Sequence, residues 1–224
     1  MYSVNTVMRT ITIASRKGGV GKSTIAAHLG VQATLTGKKV ALIDCDSQGS
    51  LAAWWNERQA DEPIFVKTDL SSLGECIQEL KGAKIDYLFI DTPPAISQLI
   101  RNVASVSDLI IVPVKPSPHD LRAVAGTIDL IEPFEKPMVF VINSAIKRAR
   151  LTSEAAIALS QHGTVSPAVL HHRVDFSSSM IDGRTVQELN AKSSSAQEVE
   201  KLWDYVLTRL RKCDNNEIRI KSEA

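Results

Sequence analysis

The segment Lys17-Gly-Gly-Val-Gly-Lys-Ser-Thr24 places three glycines, two lysines and two hydroxyls within eight residues. Glycines let successive backbone N–H groups turn inward around phosphate oxygens. A helix beginning at the end of such a loop adds the positive end of its dipole. Lys22 has the reach to meet β- and γ-phosphates, and a hydroxyl at Ser23 can sit on a magnesium ion. The general pattern is GxxxxGK[ST]. Here Arg16 stands at its first position in place of glycine, and Lys17 is an added cation. A dinucleotide fingerprint, GxGxxG, is half matched by Gly19-Val-Gly21 and Thr24. Lys22 would then intrude where close backbone approach is required.

Two acidic groups follow. Asp44-Cys-Asp46-Ser-Gln-Gly49 ends one apolar run, and Asp91 ends another in Asp86-Tyr-Leu-Phe-Ile-Asp91-Thr-Pro-Pro94. Carboxylates at the C-terminal ends of parallel strands face the crevice where ligands bind. Phosphoryl transfer to water needs Mg²⁺ and a group that orients the attacking water. Asp44 and Asp46 could share these tasks, and Asp91 could reach the metal, often through water.

These residues need a scaffold that brings strand ends together. Short, nearly continuous apolar runs occur at residues 10–14, 40–43, 87–90, 109–114 and 138–142. Runs of this kind predict strands buried on both faces of a parallel sheet. Helical spacing occupies 22–35, 49–59, 71–80, 120–131 and 151–161, with a last helix at about 196–212. Strand alternating with helix predicts an α/β, doubly wound, mostly parallel sheet flanked by helices. A single domain is expected, with a core over about 9–212 and a polar, frayed tail over 213–224. Ser177–Ser179 is expected as loop, and the serines 193–195 as a cap on the last helix.

Composition narrows the class further. The chain is 44% hydrophobic and 23% charged, with a net charge of +1, so no global field draws it to nucleic acid or membrane. Cys45, Cys76 and Cys213 form no CxxC pair and no zinc spacing, which fits reduced thiols in a cytoplasmic protein. No run approaches the length of a membrane span, and nothing resembles a signal peptide.

Lys17-Gly-Gly-Val-Gly-Lys-Ser-Thr24 resembles the deviant Walker A motif of the ParA/MinD family of ATPases. The resemblance covers about residues 9–210 and is strongest through residue 94. The absence of a DNA-reading segment ahead of the loop makes it similar to the short ParA type. The resemblance implies a phosphate-loop fold, ATP and Mg²⁺ as ligands, and ATP hydrolysis within a nucleotide-sandwich homodimer. Lys17 would reach the partner subunit's phosphates, much as an arginine finger does. Catalysis would rest on Lys17, Lys22 and Asp46. Asp44-Cys-Asp46-Ser-Gln-Gly49 is similar to the family's D-x-D-P-Q-G, with Ser47 replacing proline. Asp46 would position the hydrolytic water, and Ser23, Asp44 and Asp91 would serve the metal. Gly18, Gly19, Val20, Gly21, Lys22, Ser23 and Thr24 would bind phosphate, and Asn143, ending its strand, would contact adenine. Val112-Pro-Val-Lys-Pro-Ser-Pro118 with Asp120 resembles the dimer-facing loop and helix, and Arg173-Val-Asp-Phe176 falls in the region that closes over the base.

Three outputs suit such a core. In the ParA reading, the ATP dimer binds nonspecific DNA, and a ParB-like or other small adaptor stimulates hydrolysis. A plasmid, chromosome region or protein assembly is thereby positioned over the nucleoid. In the alternative MinD-like reading, a C-terminal amphipathic helix takes the dimer to a membrane surface. In the third, the fold performs metabolic chemistry, but the three cysteines do not suit a bridging iron–sulfur cluster, and Lys17 argues against a small-molecule ligase. The stripe Leu202, Trp203, Val206, Leu207 and Leu210 suits core packing better than a membrane anchor, and no stable membrane insertion is expected. Residues 143–212 hold ten Lys/Arg against seven Asp/Glu. Arg184, Lys192, Arg209, Arg211 and Lys212 are therefore the candidates for DNA phosphate contacts.

Overall fold

In a strand, successive side chains point to opposite faces, so a run that is apolar at every position needs cover on both sides. That cover is present in the computed structural model, which describes residues 7–69, 71–94 and 97–223. The strands are β1 (Arg9–Ile13), β2 (Val40–Asp44), β3 (Ile64–Phe65), β4 (Tyr87–Asp91), β5 (Leu109–Val114), β6 (Met138–Ile142) and β7 (Thr164–Val165). They form a sheet in the order β3-β2-β4-β1-β5-β6-β7, with every pairing parallel. The helices are α1 (Lys22–Leu35), α2 (Ser50–Asn56), α3 (Leu73–Gly82), α4 (Ser97–Val106), α5 (Pro118–Ile131), α6 (Arg150–Ser160), α7 (Val174–Ser179), α8 (Val186–Leu189) and α9 (Ser194–Glu223).

The alternation is legible strand by strand. Leu109 and Ile111 of β5 and Val139 and Val141 of β6 face a core built with α1, α2 and α9. Their neighbours Ile110, Val112, Phe140 and Ile142 face a second core with α4, α5 and α6. Ala41, Ile43, Leu88 and Ile90 turn toward α3 and α4. Trp203 of α9 is buried, with its ring edge-on to Tyr87 at 4.9 Å between centroids. Complete burial of an aromatic side chain of this size contributes about 2–3 kcal/mol.

Because β1 lies between β4 and β5, the chain reverses its direction of winding beside β1. A crevice opens at such a switch point, outside the C-terminal strand ends. The register sets Ile13 opposite Asp91, and Asp91 opposite Asp44. The phosphate-loop strand and both acidic strands therefore end side by side.

The five long strands and the first five expected helices follow the expected pattern to within a few residues. The two-residue edge strands β3 and β7, and helices α4, α7 and α8, were not expected. Three expectations are corrected. Ser177–Ser179 completes α7 rather than forming a loop. The last helix does not stop near residue 212 but runs to Glu223, since residues 213–223 contain no glycine or proline to end it. Residues 213–223 of the tail expected to fray are therefore part of that helix. Ser193 does act as the cap, its Oγ accepting the Ala196 N–H at 3.1 Å.

Candidate functional site

The loop between β1 and α1 owes its shape to two glycines at positive φ, Gly19 at 70° and Gly21 at 93°. Gly21 is also a close approach: a Cβ there would lie 2.2 Å from Asn143 Nδ2. Asn143, at the end of β6, donates Nδ2–H to the Val20 carbonyl at 2.7 Å and accepts the Ser144 N–H on Oδ1 at 2.8 Å. A carbonyl on one side and an N–H on the other fix the orientation of the amide. Asn143 is thus a strut that ties the loop to the next strand. It also lines a cavity of about 210 Å³ beside the loop, together with Gly19, Gly21, Thr24, His172 and Phe176.

At the start of the loop, both cations lie against α5. The Arg16 N–H donates to Thr127 Oγ1 at 3.1 Å. Its guanidinium crosses Gly126, where a Cβ would meet Nη1 at 2.5 Å. Lys17 Nζ is 3.0 Å from Asp120 Oδ2, and the Asp120 side chain is 8% exposed. Asp120 lies in the first turn of α5, which Ser117 caps by accepting the Asp120 N–H at 3.2 Å.

Lys22 is buried at the start of α1 and donates to the Lys17 carbonyl at 3.4 Å. Burial lowers its pKa, opposed by the charges of Asp91 and Asp46. Asp91 is fully buried; its Oδ2 accepts the Ser23 hydroxyl, while its Oδ1 has no hydrogen-bond partner. Burial pushes the Asp91 carboxyl up to about 7, against the hydrogen bond from Ser23. A buried carboxylate oxygen without a partner is costly. Thr92 Oγ1 donates to the Ile13 carbonyl at 3.0 Å, locking the ends of β4 and β1 together.

Asp44, expected in the metal shell, accepts backbone N–H groups with both oxygens. Its Oδ1 accepts the Asp46 N–H at 2.9 Å, and its Oδ2 accepts the N–H groups of Leu51 and Ala52 at 3.0 Å each. It caps the N-terminus of α2 and shapes the turn that carries Asp46, because free helix N–H groups attract a carboxylate. Asp46 is half-buried, with Oδ1 accepting the Gln48 N–H at 3.0 Å.

The five DNA candidates do not converge. Arg184 is paired with Asp182 at 2.6 Å. Lys192 precedes α9, while Arg211 and Lys212 are exposed about 25 Å further along its axis. Arg209 is half-buried, with Nε lacking a partner. The apolar stripe of α9 faces inward: Leu202, Trp203, Val206 and Leu210 are buried, and Leu207 packs against them. Among the described residues, no helix is long and apolar enough to cross a membrane.

Sequence reasoning missed His171, His172 and Ser144 in the cavity wall. It also missed Glu198 of α9, which accepts from His171 and Arg173 at the cavity rim. No local signal marks Glu198, whose partners lie 25 to 27 residues away in the chain.

Residues 11–186 match the family model described as the CobQ/CobB/MinD/ParA nucleotide binding domain. The chain belongs to this family. It is 30% identical, over 88% of its length and 96% of the relative's, to the maintenance of carboxysome distribution protein A of Halothiobacillus neapolitanus. It is 24% identical to the chromosome-partitioning ATPase Soj of Thermus thermophilus, over 91% of this chain and 97% of that one. The fold is that of the septum site-determining protein MinD of Pyrococcus horikoshii, solved with Mg-ADP: TM-score 0.73 at 20% identity, covering 89% of this chain and 96% of that one. As a member of the MinD/ParA family, the chain has its nucleotide-binding domain built around the crevice just described.

Proposed function

We propose that this chain is an ATP-timed dimerising switch that holds nonspecific DNA in its ATP state and positions a cargo, with hydrolysis stimulated by a small adaptor protein. Its core is a Mg²⁺-dependent ATPase of the ParA/MinD positioning type. The observation that carries the reading is the phosphate loop at the strand switch point, with Lys22 and Asp91 buried, Ser23 donating its hydroxyl to Asp91 and Lys17 drawn back onto Asp120.

A divalent cation fits the site, because Asp91 Oδ1 is buried without a partner and its Oδ2 already holds the Ser23 hydroxyl. Ser23 and Asp91 would hold Mg²⁺, which neutralises charge on phosphate oxygens when bound. The backbone of residues 18–24 cradles phosphate, and Lys22 adds a cation whose burial strengthens its field. Asp46 orients the attacking water from a turn held by Asp44. Lys17 leaves Asp120 to place its charge on the phosphates of a second copy. Asn143, which lines the cavity and ties the loop through Val20, would contact adenine.

The exposed cations Lys192, Arg211 and Lys212 are the DNA contacts this reading favours, and dimerisation doubles them. Such a chain would be associated with the nucleoid. Plasmid, chromosome region and protein assembly remain the cargo classes, and the likeness to a carboxysome-distribution protein supports the last. A MinD-like hold on a membrane would need a free apolar helix face, but Leu202, Trp203, Val206 and Leu210 are committed to the core. Retention on nonspecific duplex DNA, measured with ATP, with ADP and without nucleotide, tests the proposal. Retention is expected with ATP alone and should be absent in Lys22→Ala. Equal retention in all three states would refute the DNA reading.

A further inference from the structure

The cavity beside the phosphate loop has one wall that the loop does not supply. Residues 171–173, 176 and 177 form it. This strip is fastened to the first turns of α9 at two places. Glu198 Oε2 accepts the His171 N–H at 2.9 Å, and its Oε1 meets His171 Nδ1 at 2.9 Å and Arg173 Nη2 at 2.6 Å. Ser195 Oγ donates to Asp175 Oδ2 at 2.9 Å. The Glu198 side chain is 14% exposed. Burial alone would raise its pKa, yet the hydrogen bonds from Arg173 and His171 outweigh that and keep the carboxyl below its usual range.

Beyond Glu198, α9 is anchored as a rigid rod. Val199, Leu202, Trp203 and Val206 are buried on the sheet. Arg209–Lys212 lie on the same helix, about 17–21 Å further on.

We propose that Glu198 is a positioning residue of the nucleotide pocket and the point at which occupancy of that pocket is coupled to α9. A nucleotide that fills the cavity favours the arrangement in which the strip is closed on Glu198. By reciprocity, whatever holds α9 in that arrangement tightens nucleotide binding by the same factor. The link from pocket to helix stands on these contacts alone. Its extension to DNA rests on the function proposed above.

The test uses the full chain with Glu198→Gln, Arg173→Gln and the double variant. ADP affinity is measured by calorimetry, and backbone hydrogen exchange over residues 194–203 is measured with and without ADP. In the wild type, ADP should slow exchange at the start of α9. Glu198→Gln should bind ADP roughly tenfold more weakly, the loss expected for a charge-assisted hydrogen bond. It should also lose the ADP-dependent protection while keeping kcat at saturating ATP. The double variant should be little worse than either single one. Arg173→Gln reads the same bond from the strip side if Glu198→Gln proves too unstable to handle. ADP affinity within twofold of the wild type in both single variants, or wild-type exchange over 194–203 that is indifferent to ADP, would overturn the proposal. DNA retention measured alongside separates the two readings. A wild type whose α9 protection follows ADP while its DNA retention ignores ATP keeps the role of Glu198 and discards the DNA reading.

Discussion

Lys17 Nζ and Asp120 Oδ2 are 3.0 Å apart, joining the first lysine of the phosphate loop to the first turn of α5. Asp120 is the more buried partner, at 8% side-chain exposure against 36% for Lys17. The pair keeps a mobile cation in one place and gives a buried carboxylate its counter-charge. Within one subunit Lys17 is therefore engaged away from the loop's own phosphate cradle.

Removing Lys17 should separate these two roles. Lys17→Ala leaves Asp120 buried with Ser117 as its remaining partner, which should cost about 1–2 kcal/mol of stability. Adding Asp120→Asn should recover most of that loss in urea unfolding. Nucleotide binding by the monomer should persist, with turnover falling about 100-fold or more if the lysine acts across the dimer. Unchanged turnover in Lys17→Ala would remove the trans role.

Asp44 and Asp46 should fail differently. Asp46→Ala should bind ATP and dimerise, with hydrolysis reduced about 100-fold or more, because the water loses its orienting group. Asp44→Ala should also lower stability, by about 1–2 kcal/mol, because two α2 N–H groups and the Asp46 N–H lose their acceptor. Thermal melts beside single-turnover assays distinguish the two. Equal melting temperatures would contradict the capping role of Asp44.

Gly21→Ala should be severe. The new Cβ would lie 2.2 Å from Asn143 Nδ2, at a φ of 93°. Strain at such a position costs about 1–3 kcal/mol before the clash is counted. Calorimetric titration should show nucleotide binding lost or nearly so, and near-normal affinity would mean that the Asn143 strut is dispensable.

His28 gives the stability a dependence on pH. It is buried in α1, with Nδ1 on the Thr24 carbonyl and Nε2 accepting the Val186 N–H at 3.3 Å. Burial pushes its pKa down to about 4. The folded form therefore keeps the ring neutral where the unfolded chain, near 6.5, takes up a proton. Stability from this group is full above about 6.5 and is lost as pH falls toward 4, by roughly 3 kcal/mol in all. Urea unfolding at pH 4.5 and 7 should show the difference, and His28→Gln should flatten it. The same slope in both proteins would exclude His28 as its source.

The long strands were legible because burial on both faces demands apolar residues without interruption, as in Leu109–Val114. The edge strands Ile64–Phe65 and Thr164–Val165 were not, since two residues carry no period. The phosphate loop was legible because its glycines, lysines and hydroxyls are contiguous. The fastening of the cavity wall to α9 was not, because His171, Arg173 and Glu198 come together only when α9 packs back against the sheet. Asp44 shows the limit from another side. Its place at a strand end could be read from the chain, but whether its oxygens serve a metal or a helix depends on where α2 begins.

By itself, the sequence determined the parallel α/β fold, the loop that cradles phosphate and the presence of three carboxylates at strand ends. These follow from local chemistry and from the period of burial. Tertiary structure alone decided that Asp91 lies beside Ser23, that Lys17 rests on Asp120 and that α9 holds the rim of the pocket through Glu198. Each is a contact between residues 25 to 103 positions apart, which forms only when the sheet order brings the elements together.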